Sequence, residues 1–227
     1  MILLGAAANA GAVFFGGIIG SFMKKGLPKR FGDSIMYALA LFTFGLGVVF
    51  YMKSQEMMVF IPSLVLGTLI GELIDIEKRL ENLGNTLQSK LKGTGGRFSE
   101  GFVTASLLFC VGSMAIMGSL QSGLSGNHEV LYAKAAIDIA AALIFASAMG
   151  FGVAFSAIPV FIYEGGLSLA ASAVAPYLSD AVVNEMTAVG GVLLMGLALS
   201  ILDIKKIRVG NMLPGIFLPI IIMMIFY

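Results

Sequence analysis

Two acids and a lysine sit inside stretches that are otherwise mostly apolar: Lys134 and Asp138 in YAKAAIDIAAALIF, and Glu164 in VFIYEGGLSL. An ionisable group in hydrocarbon is costly unless it is paired, hydrated or neutralised, which makes each of these a functional candidate. Asp138 falls a third to halfway along its apolar segment, too deep for a short side chain to reach an interface. Lys134 precedes it by four residues, so the two share one helical face and are placed to pair. Asp138 is then either a cation ligand or proton carrier, or half of a structural Lys–Asp brace.

Glu164 precedes Gly165-Gly166. From Gly152 to Tyr163 is only 12 residues, roughly 18 Å of helix, too short to cross a bilayer alone. The expectation is a helix broken at the glycine pair, with Glu164 facing the positive N-terminal end of the segment that follows. The alternative puts the glycines at the outer surface with Glu164 solvated. Glu72, in GTLIGELIDIE, lies near the inner end of a span, where interfacial anchoring competes with ion binding. Asn9 and Asn211 carry amides that could ligate a cation, although interhelical hydrogen bonding is the commoner use. His128 and Cys110 are the sole histidine and cysteine, which excludes a disulfide within the chain and a His- or Cys-based metal cluster, and argues against an enzyme. No cofactor is expected.

Those residues must be positioned by membrane helices. Of 227 residues 58% are hydrophobic and only 12% charged, against roughly 25% charged in soluble domains. The charges are clumped, leaving apolar runs of about 20 residues, the length that spans a hydrocarbon core. Spans are predicted at about 2–23, 35–52, 57–75, 99–121, 131–149, 152–174, 183–203 and 210–227, giving an all-α integral membrane protein of about eight helices in a single polytopic domain. Ala8-Asn9-Ala10 mimics a signal-peptidase site, but no basic region precedes it and the apolar run continues to Met23, so a first membrane helix is expected instead. Residues 131–174 read as two spans with a tight turn near Met149–Gly152, because 44 helical residues would be about twice a bilayer's thickness. Stripes of small residues, Ala12/Gly16/Gly20 and Gly67/Gly71, predict close-packed helix faces.

Basic residues orient the spans. Lys24, Lys25, Lys29 and Arg30, then Lys78, Arg79, Lys90, Lys92 and Arg97, then Lys205, Lys206 and Arg208 make 12 of the 14 Lys and Arg residues. With eight spans all three groups face one side, the cytoplasm by the positive-inside rule, and both termini lie outside. The near-neutral net charge of +1 argues against a nucleic-acid partner. The segment at about 76–92 carries Ile76, Leu80, Leu83, Leu87 and Leu91 as a narrow apolar stripe on a charged helix. It is expected to lie along the cytoplasmic membrane surface or its own bundle, or else to form a homodimer contact.

An internal repeat is also legible. AVFFGGIIGSFMKKGL from Ala12 parallels GVAFSAIPVFIYEGGL from Gly152 at an offset of 140 residues. LFTFGLG around Gly45 parallels VLLMGLA around Gly196, and Ile61-Pro62-Ser63-Leu64 parallels Leu213-Pro214-Gly215-Ile216. Spans 1–3 then correspond to spans 6–8, and eight-span topology makes the copies inverted, an arrangement whose substrate sites lie between repeats near the midplane.

The ordered set GAAANAGAVFFGGIIG, LGTLIGELIDIE, GFVTASLLFCVGSMAIMGSLQSGL, AKAAIDI and VFIYEGGLSL resembles the YdfK/YqgA-like family of bacterial membrane proteins, domain of unknown function 554. The resemblance runs over essentially the whole chain and implies a bacterial inner-membrane protein, without bringing an activity. It also implies that Gln can stand at the position of Glu164, which weakens that residue as a proton carrier. The residues favour a transporter of a small inorganic cation, with Asp138 central, Lys134, Glu164, Asn9 and Asn211 around it and Glu72 toward the inner mouth. A channel of the same architecture and a non-transporting scaffold are the competing readings.

Overall fold

The computed structural model describes residues 2–24, 29–90 and 98–226. Met1, Lys25, Gly26, Leu27, Leu91, Lys92, Arg97 and Tyr227 lie outside the described residues, as do the side chains of Lys24, Lys29 and Lys90. The described residues contain helices and no strand. They run α1 (Leu4–Lys24), α2 (Lys29–Tyr51), α3 (Met57–Ile74), α4 (Ile76–Lys90), α5 (Phe98–Cys110), α6 (Ser113–Ser125), α7 (Glu129–Met149), α8 (Gly152–Phe155), α9 (Ala157–Val174), α10 (Asp180–Ile201), a 3-10 run (Val209–Ile216) and α11 (Leu218–Phe226). Six helices are long and apolar enough to cross a membrane, and a seventh span is formed if α5 and α6 count as one bent segment. Without water to bond an open backbone, helices are the economical way for such apolar sequence to satisfy its own N–H and C=O groups.

The expected eighth span takes a different form. Gly210, Pro214, Gly215 and Pro219 fall within it, and two prolines without N–H groups break the i→i−4 ladder. The result is an eight-residue 3-10 run followed by a nine-residue helix. The element that the sequence parallel pairs with it, α3, continues as α-helix through Pro62 for 18 residues, so the two are not alike in secondary structure. The turn expected near Met149–Gly152 is present, with Gly150 at φ 90°, a conformation that favours glycine.

The broken helix is not where the sequence put it. α9 passes through Gly165-Gly166 without interruption, and with the turn preceding it reads as a 26-residue span from Gly152 to Tyr177. A Cβ at Gly166 would meet open space and one at Gly165 only Leu3 at 3.3 Å, so neither glycine is forced out of helical geometry. The break lies in span 4 instead, where α5 and α6 meet at 64°. Gly112, at φ +124°, supplies a backbone state that a side chain would strain.

Chain packing divides into two compact units. The first holds residues 1–37, 80–110 and 114–173. In it the small-residue stripe of α1 lies against α7: a Cβ on Gly16 would reach Ile139 O at 2.5 Å, and one on Gly20 would strike Leu143 O. The stripe thus serves a contact within the chain. In the same unit Gly84 of α4 packs on Ser99, whose hydroxyl donates to Asn85 Oδ1 at 2.7 Å. The second unit holds residues 38–79, 111–113 and 174–227. There Gly67 and Gly71 of α3 admit the backbone of Gly215 and Asn211, and Gly47 and Gly191 approach each other reciprocally, each one's Cβ position within 2.6 Å of the other's carbonyl oxygen.

Candidate functional site

α7 carries Lys134 and Asp138 one turn apart, and both are buried, at 6% exposure each. Asp138 is the tenth of the helix's 21 residues, far from either end. Lys134 Nζ is ion-paired with Asp138 Oδ2 and stands 3.4 Å from Glu164 Oε1 of α9. Glu164 is fully buried, and α1 delivers Asn9, also fully buried, whose Nδ2 donates to Glu164 Oε1 at 2.8 Å. The helices meet closely here because small residues line them: Gly5 of α1 sits under Leu131, and Gly118 of α6 packs on Val130 and Leu131. Four of the six residues singled out from sequence, Asn9, Lys134, Asp138 and Glu164, therefore form one cluster in the first unit.

The cluster is electrostatically unbalanced. Two carboxylates face one ammonium, leaving a formal charge of −1 among groups that are at most 6% exposed. Oε2 of Glu164 and Oδ1 of Asn9 are buried without a hydrogen-bond partner among the described residues. Unsatisfied buried acceptors are expensive, and two of them beside a net negative charge form a surface that favours a positive ligand. The ring of Phe109, near the C-terminal end of the 13-residue α5, lies 6.0 Å from Lys134 Nζ. Cys110, the next residue, is free and half-buried.

Glu72 and Asn211 belong to the second unit, each with partners of its own. Glu72 is exposed and takes a 2.9 Å ion pair from Arg208, which also pairs with Asp75. Asp75 ends α3 in the left-handed conformation (φ 55°), so this pair anchors the α3–α4 corner. Asn211 is fully buried and its Oδ1 accepts from Glu77 N at 2.7 Å, capping the first turn of α4. Gly210 N donates to Glu77 Oε2 at 2.5 Å alongside it.

One buried acid escaped the sequence reading. Glu185 of α10, 1% exposed, accepts from Ser54 Oγ at 2.7 Å, Gln55 N at 2.6 Å and Glu56 N at 2.9 Å. It fastens the turn leading into α3 from another helix, taking the backbone N–H groups of the two residues that precede the helix. Its position in DAVVNEMTAVGG, just inside an apolar run, was the available signal. The single histidine also has a local role: Nδ1 of His128 lies 2.8 Å from Ser122 Oγ, and that hydroxyl donates to Ile2 O at 2.8 Å.

A bundle of apolar helices with a charged cluster buried among α1, α7 and α9 defines an all-α integral membrane protein. The chain belongs to the family described as "Protein of unknown function (DUF554)", which matches residues 4–224. It is 32% identical over 229 residues to "Uncharacterized membrane protein YdfK" of Bacillus subtilis (strain 168), covering 99% of this chain and 97% of the relative. It is 31% identical over 222 residues to "Uncharacterized protein YqgA" of Escherichia coli (strain K12), covering 96% and 94%. No solved structure matches the chain.

Proposed function

We propose that the protein is a membrane transport protein for a small inorganic cation, bound at the cluster of Asp138, Lys134, Glu164 and Asn9. One observation carries the reading: two carboxylates and one ammonium are held in the middle of membrane helices, with two acceptor oxygens that have no partner among the described residues. A brace serving only stability would be better satisfied by one acid and one base, since a surplus buried charge is costly. A cation repays that cost, and its release restores it, which is what a carrier needs. The cluster joins α1 to α9, the first spans of the two proposed inverted copies, as in transporters that bind substrate between repeats.

The basic connections support a bacterial inner membrane with Lys78, Arg79, Lys205, Lys206 and Arg208 at the cytoplasmic face and both termini outside. In this account the protein is no enzyme, and Glu72 and Asn211 position the α3–α4 corner without touching the ion. The test is uptake of radiolabelled cations into proteoliposomes by the unaltered protein and by Asp138→Asn. The account expects saturable uptake that the variant loses; undiminished uptake removes Asp138 from the mechanism.

A further inference from the structure

Three buried side-chain oxygens of the first unit lack a hydrogen-bond partner among the described residues: Oδ1 of Asn9, Oε2 of Glu164 and Oγ of Ser119. Ser119 is the unexpected member. A serine in a membrane helix ordinarily returns its hydroxyl to the carbonyl one turn back, as Ser106 does to Phe102 O at 2.6 Å and Ser168 to Glu164 O at 2.8 Å. Ser119, fully buried in α6, makes no such bond.

Packing register brings Ser119 to the depth of Glu164. On α6, Ser122 bonds Ile2 O while Gly118 packs on Leu131, which itself covers Gly5. Descending α6 in number therefore means advancing along α1. On α9, Ser168 lies beside Gly123, while Glu164 reaches Asn9. Descending α9 also means advancing along α1, so α6 and α9 run in the same direction. One turn from the Gly123–Ser168 contact, on the same faces, stand Ser119 and Glu164.

We propose that Ser119 Oγ joins Glu164 Oε2 and Asn9 Oδ1 as ligands of one partly dehydrated alkali-metal cation, an inference that rests on the transport reading above. The donor set is all oxygen and mostly neutral, the kind that replaces the hydration shell of an alkali ion and lacks the soft ligands that draw transition metals. The charge count favours a monovalent ion: with both acids ionised, Asp138, Glu164 and Lys134 sum to a formal −1, which one monovalent cation neutralises, whereas a divalent ion would leave a buried surplus of positive charge.

The test compares uptake of radiolabelled sodium, rubidium and calcium into proteoliposomes holding the unaltered protein, Ser119→Ala or Ser119→Thr. The proposal expects saturable uptake of sodium or rubidium and none of calcium. It expects Ser119→Ala to raise the half-saturating alkali concentration about tenfold or more, and Ser119→Thr, which keeps the hydroxyl, to lie close to the unaltered protein. Unchanged half-saturation in Ser119→Ala, with cation uptake intact, overturns the Ser119 assignment and leaves the transport reading standing. Calcium uptake equal to that of the alkali ions overturns the valence, and absence of all cation uptake overturns both readings. The unaltered protein in detergent gives a reading that needs no variant: sodium or rubidium chloride should raise its unfolding temperature over choline chloride at equal ionic strength, and the lack of any alkali effect counts against the site.

Discussion

Asn9 and Glu164 are 155 residues apart in sequence, yet the Asn9 amide donates to one oxygen of the Glu164 carboxylate at 2.8 Å, while the other oxygen has no hydrogen-bond partner among the described residues. That hydrogen bond ties α1 to α9 and engages the same carboxylate oxygen, Oε1, that faces Lys134. Orientation of this kind is a positioning function, distinct from the charge that the carboxylate carries.

The distinction gives a first prediction. Glu164→Gln keeps an acceptor for Asn9 and nearly the same shape but removes the charge, bringing the cluster from −1 to neutral. Folding should survive, as judged by the unfolding temperature in detergent, while cation uptake falls about tenfold or more. Uptake equal to that of the unaltered protein would show that the Glu164 charge is dispensable.

Removal of Lys134 should act on stability before it acts on transport. Lys134→Met leaves two buried carboxylates without their ammonium, and breaking such a pair costs about 3–5 kcal/mol. Replacing Asp138 with Leu in the same protein removes one stranded acid and should recover part of that loss, with uptake still absent. Unfolding measured across the single and double variants gives the coupling; additive losses would mean that the two residues do not act as a pair.

Two glycines that look alike in sequence should respond differently to a methyl group. A Cβ at Gly71 would collide with the carbonyl of Asn211, whereas one at Gly45 meets nothing within 4 Å. Gly71→Ala should destabilise by about 1–3 kcal/mol through overpacking, and Gly45→Ala should be neutral or stabilising by a few tenths, since alanine is the better helix former. Equal effects at the two positions would contradict the close approach of α3 to the Val209–Ile216 segment.

Much of the fold was legible because lipid leaves few options. Apolar runs of span length became α1, α2, α3, α7 and α10 with ends displaced by a few residues, and the small-residue stripes of α1 and α3 became close contacts. The cluster was partly legible for the same reason: Lys134 and Asp138 share a helical face by spacing alone, and a buried acid announces itself in an apolar run. Tertiary partners were not. Nothing in AAANAG says that Asn9 meets Glu164, and Ser119 differs from neighbouring serines only in the bond that it lacks. The helix break was misplaced because glycine permits a break without requiring one. Gly165-Gly166 stays helical in α9, while the single Gly112 bends span 4. Asn211 and Glu72 were grouped with the cluster by residue type, but their partners, Glu77 and Arg208, make them fastenings of the α3–α4 corner.

The claim on which the functional account rests is that a cation sits against the unpartnered oxygens of Asn9 and Glu164. Anomalous diffraction from the protein crystallised in a rubidium salt addresses it directly. The account predicts a rubidium peak in ligand contact with Glu164 Oε2 and Asn9 Oδ1, beside the Lys134–Asp138 pair. Ordered density for the four side chains with no rubidium among them, at a salt concentration that saturates uptake, would contradict it.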